Sequence, residues 1–280
     1  MRPGTWCADS PHHITSIFVP VRKAGYMDSG SIGVGVSIEP RLRACLSGDS
    51  LRYPSTVSRV IRLYGLEEAN ITLTIHMPLP PAVGYAVSAA SAVAASLIIG
   101  RIRGRGYREA LQVAHLADIM EETGLGDVLA ISCGVGIVYR RKPGGPGIGE
   151  VECLQLPGTL SLVSIDTGIM STGTMLKTLD SKVYGLAERA LRRIDRDFTV
   201  ESFIYWSERF SRESGFLKAA LAGREVPKLP GQVGVYGKKR VVLFFVEREW
   251  VGDAVSVLES HGFEPRILGV SASPPGIWWS

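Results

Sequence analysis

PLPPAVGYAVSAASAVAASLIIG, residues 78–100, carries the reading of this chain. A proline-rich loop turns through Gly84 and enters a run of Ala, Ser and Val without a single charge. Small side chains let backbone approach a ligand closely. The first turn of a helix adds free N–H groups and the positive end of a dipole. Both are requirements for holding a polyphosphate. Further on, EETGLGDV (121–128) is a glycine-rich turn that ends in Asp127. A phosphate cradle followed by a carboxylate on a tight turn predicts phosphoryl transfer.

Composition narrows the alternatives. With 280 residues, 45% hydrophobic and 21% charged, the chain has the make-up of a soluble globular protein with room for two cores. The net charge of +4 is diffuse, and no basic block with interleaved aromatics occurs, so no nucleic-acid partner is expected. Residues 82–99 are long enough to invite a membrane reading, but Ala dominates and Ser88, Ser91 and Ser96 interrupt them. A buried helix is expected there, and no membrane partner. The N-terminus lacks a signal-peptide pattern. Cys7, Cys45, Cys133 and Cys153 are widely spaced and form no metal-binding motif, which predicts a cytoplasmic protein with reduced thiols.

Apolar alternation predicts strands at 14–21, 33–40, 42–47 and 71–77, then a helix at 86–99. A second helix, Tyr107 to Glu122, stops at Thr123-Gly124. Strand-like segments follow at 128–140, 151–156 and 160–165, separated by the Gly/Pro-rich stretch RRKPGGPGIGE. Beyond 167, helices at 182–196, 199–213 and 216–223 precede strands at 233–236 and 241–246, a helix at 250–261 and a strand at 265–270. The pattern is α+β in two domains, 1–156 and 157–280.

Each residue that could do chemistry also has a plain structural role open to it. Ser88 could offer its hydroxyl to Mg²⁺ or a phosphate oxygen, or simply cap a helix. His115, Asp118 and Glu122 share a helical stripe with Leu111 and Ala114. Asp118 on that stripe is a candidate Mg²⁺ ligand or a carboxylate paired with His115 or an arginine. Glu121 and Glu122 read as solvated acids. Asp127, freed by Gly124 and Gly126, could accept a proton from an attacking hydroxyl or serve as an Asx-type turn residue. A second glycine-rich turn, Ser29 to Gly35, could meet phosphate or substrate. Of the adjacent His12 and His13, one at most faces a site. Arg22 and Lys23 could meet a carboxylate, and Ser171-Thr172-Gly173-Thr174 with Lys177 could close over a ligand.

In this order the pieces resemble the GHMP small-molecule kinases. Their central motif, P-x-x-x-G-L-G-S-S-A-A, reads here from Pro80 to Ala90, with Tyr85 for Leu, Ala86 for the second Gly and Val87 for the first Ser. Three segments are similar to an archaeal branch of that superfamily: SPHHITSIF (10–18) with GSIGVGVSI (30–38), AHLADIMEETGLGDV (114–128) and RRKPGGPGIGEV (140–151). The resemblance implies a two-domain GHMP-kinase-like fold and ATP- and Mg²⁺-dependent phosphorylation of the primary hydroxyl of pantoate, on a route to coenzyme A. It implies Pro80, Gly84, Ala86, Ser88 and Ala89 at the ATP phosphates, and Ser88 and Asp118 at the metal. Asp127 would be the catalytic aspartate; His13, Ser31, Gly33 and Arg22 would lie at the substrate. Asp118 stands where the family has glutamate, Ile32 where a basic residue is expected, and Gly231-Gln232-Val233-Gly234 matches the C-terminal glycine motif poorly. Other small alcohols (mevalonate, homoserine) and a non-catalytic nucleotide-binding regulator are the rival readings. A homodimer is expected by analogy.

Overall fold

Apolar alternation over Trp6–Val21 and Gly30–Ser47 produces two long antiparallel strands, β1 and β2, which form the spine of the molecule. Their register shifts between Ser10 and His12, opposite Pro40, where a residue without an N–H is tolerated. The computed structural model describes residues 4–47, 53–66, 71–177, 179–225 and 227–280. After the spine come α1 (Ser55–Leu63), β3 (Thr72–His76), α2 (Val87–Ile102), α3 (Tyr107–Met120) and α4 (Asp127–Cys133). The hairpin β4 (Ile137–Lys142) and β5 (Glu150–Leu154) follows, then β6 (Leu160–Asp166). The helical stretch is α5 (Thr172–Leu176), α6 (Ser181–Arg196), α7 (Val200–Glu213) and α8 (Phe216–Ala220). Strands β7 (Gln232–Lys238) and β8 (Val241–Glu247), helix α9 (Val251–Ser260), β9 (Pro265–Val270) and β10 (Gly276–Trp279) complete the order.

The sheet runs β10-β1-β2-β9-β6-β8-β7, with β3 and β4 also paired to β2, and β5 to β4. Strands from beyond residue 156 pair mostly with one another, and β9 joins them to β2 through Ile38–Val270 and Glu39–Gly269. Helix α2 lies between the β1–β2 ribbon and helices α1 and α3. It is apolar on every side, and 13 of its 16 residues are buried, as a helix without a polar face must be. Ser91 and Ser96 bury their hydroxyls by donating to the carbonyls of Val87 and Ala110. Among the described residues, no helix is long and apolar enough to cross a membrane.

Two expectations need correction. The strand expected over 128–140 begins as a helix, α4, which Gly134 ends in a left-handed conformation (φ 63°) before β4 starts at Ile137. A short apolar run has no period long enough to separate helix from strand. The cysteines are paired, not reduced: Cys7 with Cys45 across the β1–β2 ladder, and Cys133 at the end of α4 with Cys153 on β5. Strand register, invisible in sequence spacing, sets the partners. With sequence separations of 38 and 20 residues, each bridge is expected to contribute roughly 3–4 kcal/mol through loop entropy. Dithiothreitol should therefore lower Tm by several degrees. Four titratable thiols in the unreduced, unfolded protein would refute the pairing.

Candidate active site

The loop 78–86 turns sharply because several of its residues adopt left-handed backbone: Ala82 (φ 61°), Gly84 (φ 144°) and Ala86 (φ 56°). At Gly84 space is limiting too, since a Cβ would stand 2.6 Å from Val241 Cγ1 and 3.0 Å from the Lys238 carbonyl. The C-terminal half clamps this loop. Arg240 N–H donates to the Val83 carbonyl (3.0 Å) and Met170 N–H to the Ala82 carbonyl (2.8 Å). Tyr85, buried, shares a hydrogen bond with Ser164 (2.9 Å) and donates to Asp166.

Ala86, not Ser88, is the N-cap of α2, and no side chain caps the helix. The Ser88 hydroxyl is therefore not consumed by capping. It faces a cavity of about 380 Å³ together with Gly84, Ala86, Ala89, Asp118 and Asp127. Pro80 does not line this cavity; its neighbours Pro81 and Ala82 do.

Asp118, on α3, is buried and accepts a hydrogen bond from Thr123 Oγ1 (2.6 Å). Burial, reinforced by the negative charge of Asp127, pushes its carboxyl up to about 7. His115 does not pair with it; its Nε2 meets the Ser29 carbonyl at 3.1 Å. Glu121 is bound to Arg59 (2.7 Å), so it is ion-paired rather than merely solvated. Glu122 is exposed, with Arg22 3.7 Å away. Arg22 is itself exposed and lines neither this cavity nor the pocket beyond Asp127.

Asp127 is the first residue of α4 and separates the large cavity from that narrower pocket. Thr15 Oγ1 donates to its Oδ1 (3.2 Å), and Lys238 Nζ lies 4.0 Å from the same oxygen. Burial would raise its pKa, but the positive charges of Lys238 and Arg140 outweigh that and hold it at about 2. Here the carboxylate faces cations rather than closing a turn.

Arg140, on β4, lines the narrow pocket with Ser31 and Asp127. It is 1% exposed, and its Nη1 donates to His13 Nε2 at 3.1 Å. Burial and the adjacent guanidinium keep His13 well below the usual imidazole range, so the ring is neutral and accepts that bond. Arg140 Nε has no hydrogen-bond partner among the described residues. Gly33 and Gly35 belong to β2, not to a turn. A Cβ at 33 would meet Arg140 Nη2 at 2.8 Å, and one at 35 His13 Nε2 at 2.6 Å. They leave room for two side chains rather than wrapping a phosphate. His12 points elsewhere, its Nδ1 against the Tyr85 carbonyl (3.2 Å).

Sequence reasoning missed Thr15, Arg140, Lys238 and Lys239. Arg140 stands in VYRRK, where a basic pair at a strand end reads as solvent-facing. Lys238-Lys239-Arg240 between two apolar strands was the one available signal. Thr172, in the polar turn singled out from sequence, does reach the cavity and accepts from Lys239 Nζ (2.7 Å). The poorly matched glycine motif does not line the cavity; Gly231 packs on Trp250 and Gly234 on Ile204.

Among the described residues, no three His, Cys, Asp or Glu side chains cluster to hold a metal. One buried carboxylate and one free hydroxyl facing a roomy cavity instead suit Mg²⁺, which keeps few protein ligands and takes the rest from phosphates and water.

A left-handed loop feeds an uncapped helix whose first turn shares a cavity with two carboxylates, and residues 53–135 match the GHMP kinases N terminal domain. The chain is a small-molecule kinase. It is 28% identical over 261 residues to a pantoate kinase of Thermococcus kodakarensis, covering 81% of this chain and 84% of that one. To a pantoate kinase of Methanospirillum hungatei it is 24% identical over 248 residues, covering 81% and 83%. In three dimensions it is similar to a solved phosphotransferase related to the CoA biosynthesis pathway, with a TM-score of 0.79 and 21% identity over 98% of each chain.

Proposed function

We propose that this chain transfers the γ-phosphoryl group of ATP to the primary hydroxyl of pantoate, in the cytoplasm, where ATP is supplied. One observation carries the choice of acceptor. A carboxylate held ionised (Asp127) and a buried guanidinium with an unused N–H (Arg140) line one pocket. That pairing suits an acceptor with a hydroxyl at one end and a carboxylate at the other. The likeness to pantoate kinases supports the same reading.

Backbone of the Pro80–Ala89 segment, with the free N–H groups of α2, would cradle the phosphates. Ser88 and Asp118 would hold Mg²⁺, which when bound shields charge on the phosphate oxygens. Asp127 orients the acceptor hydroxyl and receives its proton. Arg140 binds the acceptor carboxylate, in place of the basic residue absent at Ile32, and His13 and Ser31 support it. Residues 1–156 carry the nucleotide side and 157–280 close the cleft over it.

The test is ADP release from ATP and Mg²⁺ with pantoate, mevalonate, homoserine and shikimate offered separately. Release with pantoate alone is expected. Release with another acceptor would keep the kinase and discard pantoate; silence with ATP still bound would favour a regulator. Ser88→Ala should raise the Mg²⁺ concentration needed for half-maximal rate by about 10-fold, the loss of one oxygen ligand to the metal. An unchanged Mg²⁺ dependence would leave Ser88 no metal role.

A further inference from the structure

Lys238 ends β7, and Lys239 opens the turn into β8. Long cationic side chains at such a turn ordinarily extend into water. Here Lys238 is 7% exposed, with its ammonium 5.6 Å from the centre of the Phe18 ring. Both lysines border the phosphate-loop cavity and the pocket holding Arg140, so they stand where the two spaces meet.

Their position is fixed by backbone. The Arg240–Val83 hydrogen bond and the close approach of Gly84 to the Lys238 carbonyl tie this turn to the phosphate loop. Burying an ammonium is costly unless it is fully bonded. The only ion pair of Lys238 among the described residues is Asp127 at 4.0 Å, beyond hydrogen-bond length. Its N–H donors are thus available to a further anion. Arg140 is turned towards His13, and Lys239 towards Thr172.

We propose that Lys238 is a catalytic residue, whose ammonium donates hydrogen bonds to the phosphoryl group as it passes from ATP to the acceptor oxygen. This rests on the reading of the chain as a kinase with the acceptor beside Asp127. The bond from phosphorus to the ADP oxygen breaks, and its electron pair stays with ADP. A bond from the acceptor oxygen to phosphorus forms, and the hydroxyl proton goes to Asp127. Lys238 keeps its proton throughout and offsets the negative charge between donor and acceptor oxygens. Burial lowers its pKa to about 8, with Asp127 opposing the shift, so the ammonium is predominantly protonated at neutral pH.

The experiment compares wild type with Lys238→Met and Lys238→Gln. A fall in kcat of about 10²–10³-fold is expected, with the KM for ATP and acceptor changed less than about threefold. Affinity for ADP with Mg²⁺ and aluminium fluoride, a mimic of the phosphoryl group in transit, should fall in parallel while ATP affinity holds. A merely structural lysine would move Tm and both KM values instead. Wild-type kcat in either folded variant, or unchanged aluminium fluoride affinity, overturns the proposal. If wild type turns over no acceptor, the kinase reading fails separately, and the aluminium fluoride arm still decides on Lys238.

Discussion

Asp127→Ala is expected to lower kcat by about 10²–10⁴-fold while ATP affinity stays within about threefold. The argument starts from charge. The Asp127 carboxyl is held at about 2, so it is ionised at every pH at which the protein is assayed. A base that weak does not strip a hydroxyl in advance. In the proposed reaction it would orient the hydroxyl and take the proton late, once the bond to phosphorus has largely formed, as a loose phosphoryl-transfer step allows. No acid limb in kcat should therefore arise from Asp127 above about pH 3. Linkage gives the same sign. A pKa depressed from 3.8 to about 2 on folding contributes stability that is full above pH 4 and is lost as pH falls through 2. Equal losses in kcat and ATP affinity would count against the assignment.

Arg140→Met should raise the KM for pantoate by about 10–100-fold, the worth of charge-assisted hydrogen bonds to a carboxylate. Tm is expected to stay level or rise. Arg140 is buried with a neutral imidazole as its direct hydrogen-bond partner and an unused Nε, a cost that attraction to Asp127 offsets only in part. A methionine of similar length fills the space without that cost. Opposite signs for stability and substrate affinity would mark a residue kept for binding. A fall in Tm with unchanged KM would make Arg140 a structural residue and reopen the choice of acceptor.

The amino-acid sequence by itself determined the turning loop at 78–86, the buried helix behind it and the positions of the two aspartates. Each is local. Gly84 is required by the conformation and tight space at its own position, the Ala/Val run of α2 is apolar on every face, and Asp127 follows its glycines directly. The α+β pattern was legible for the same reason, since strand and helix periods are written in neighbouring residues. Only the tertiary structure decided which cations meet those aspartates. Arg140 and Lys238 are 13 and 111 positions beyond Asp127 (140 − 127 and 238 − 127), and their arrival depends on the order of strands in the sheet. The cysteine pairs were hidden likewise, because register across β1 and β2, not spacing, puts Cys7 opposite Cys45. Burial raises both carboxylates, and the cations gathered around Asp127 then separate them, to about 7 at Asp118 and about 2 at Asp127. No local pattern could distinguish them, because the charges and walls responsible come from strands and turns distant along the chain.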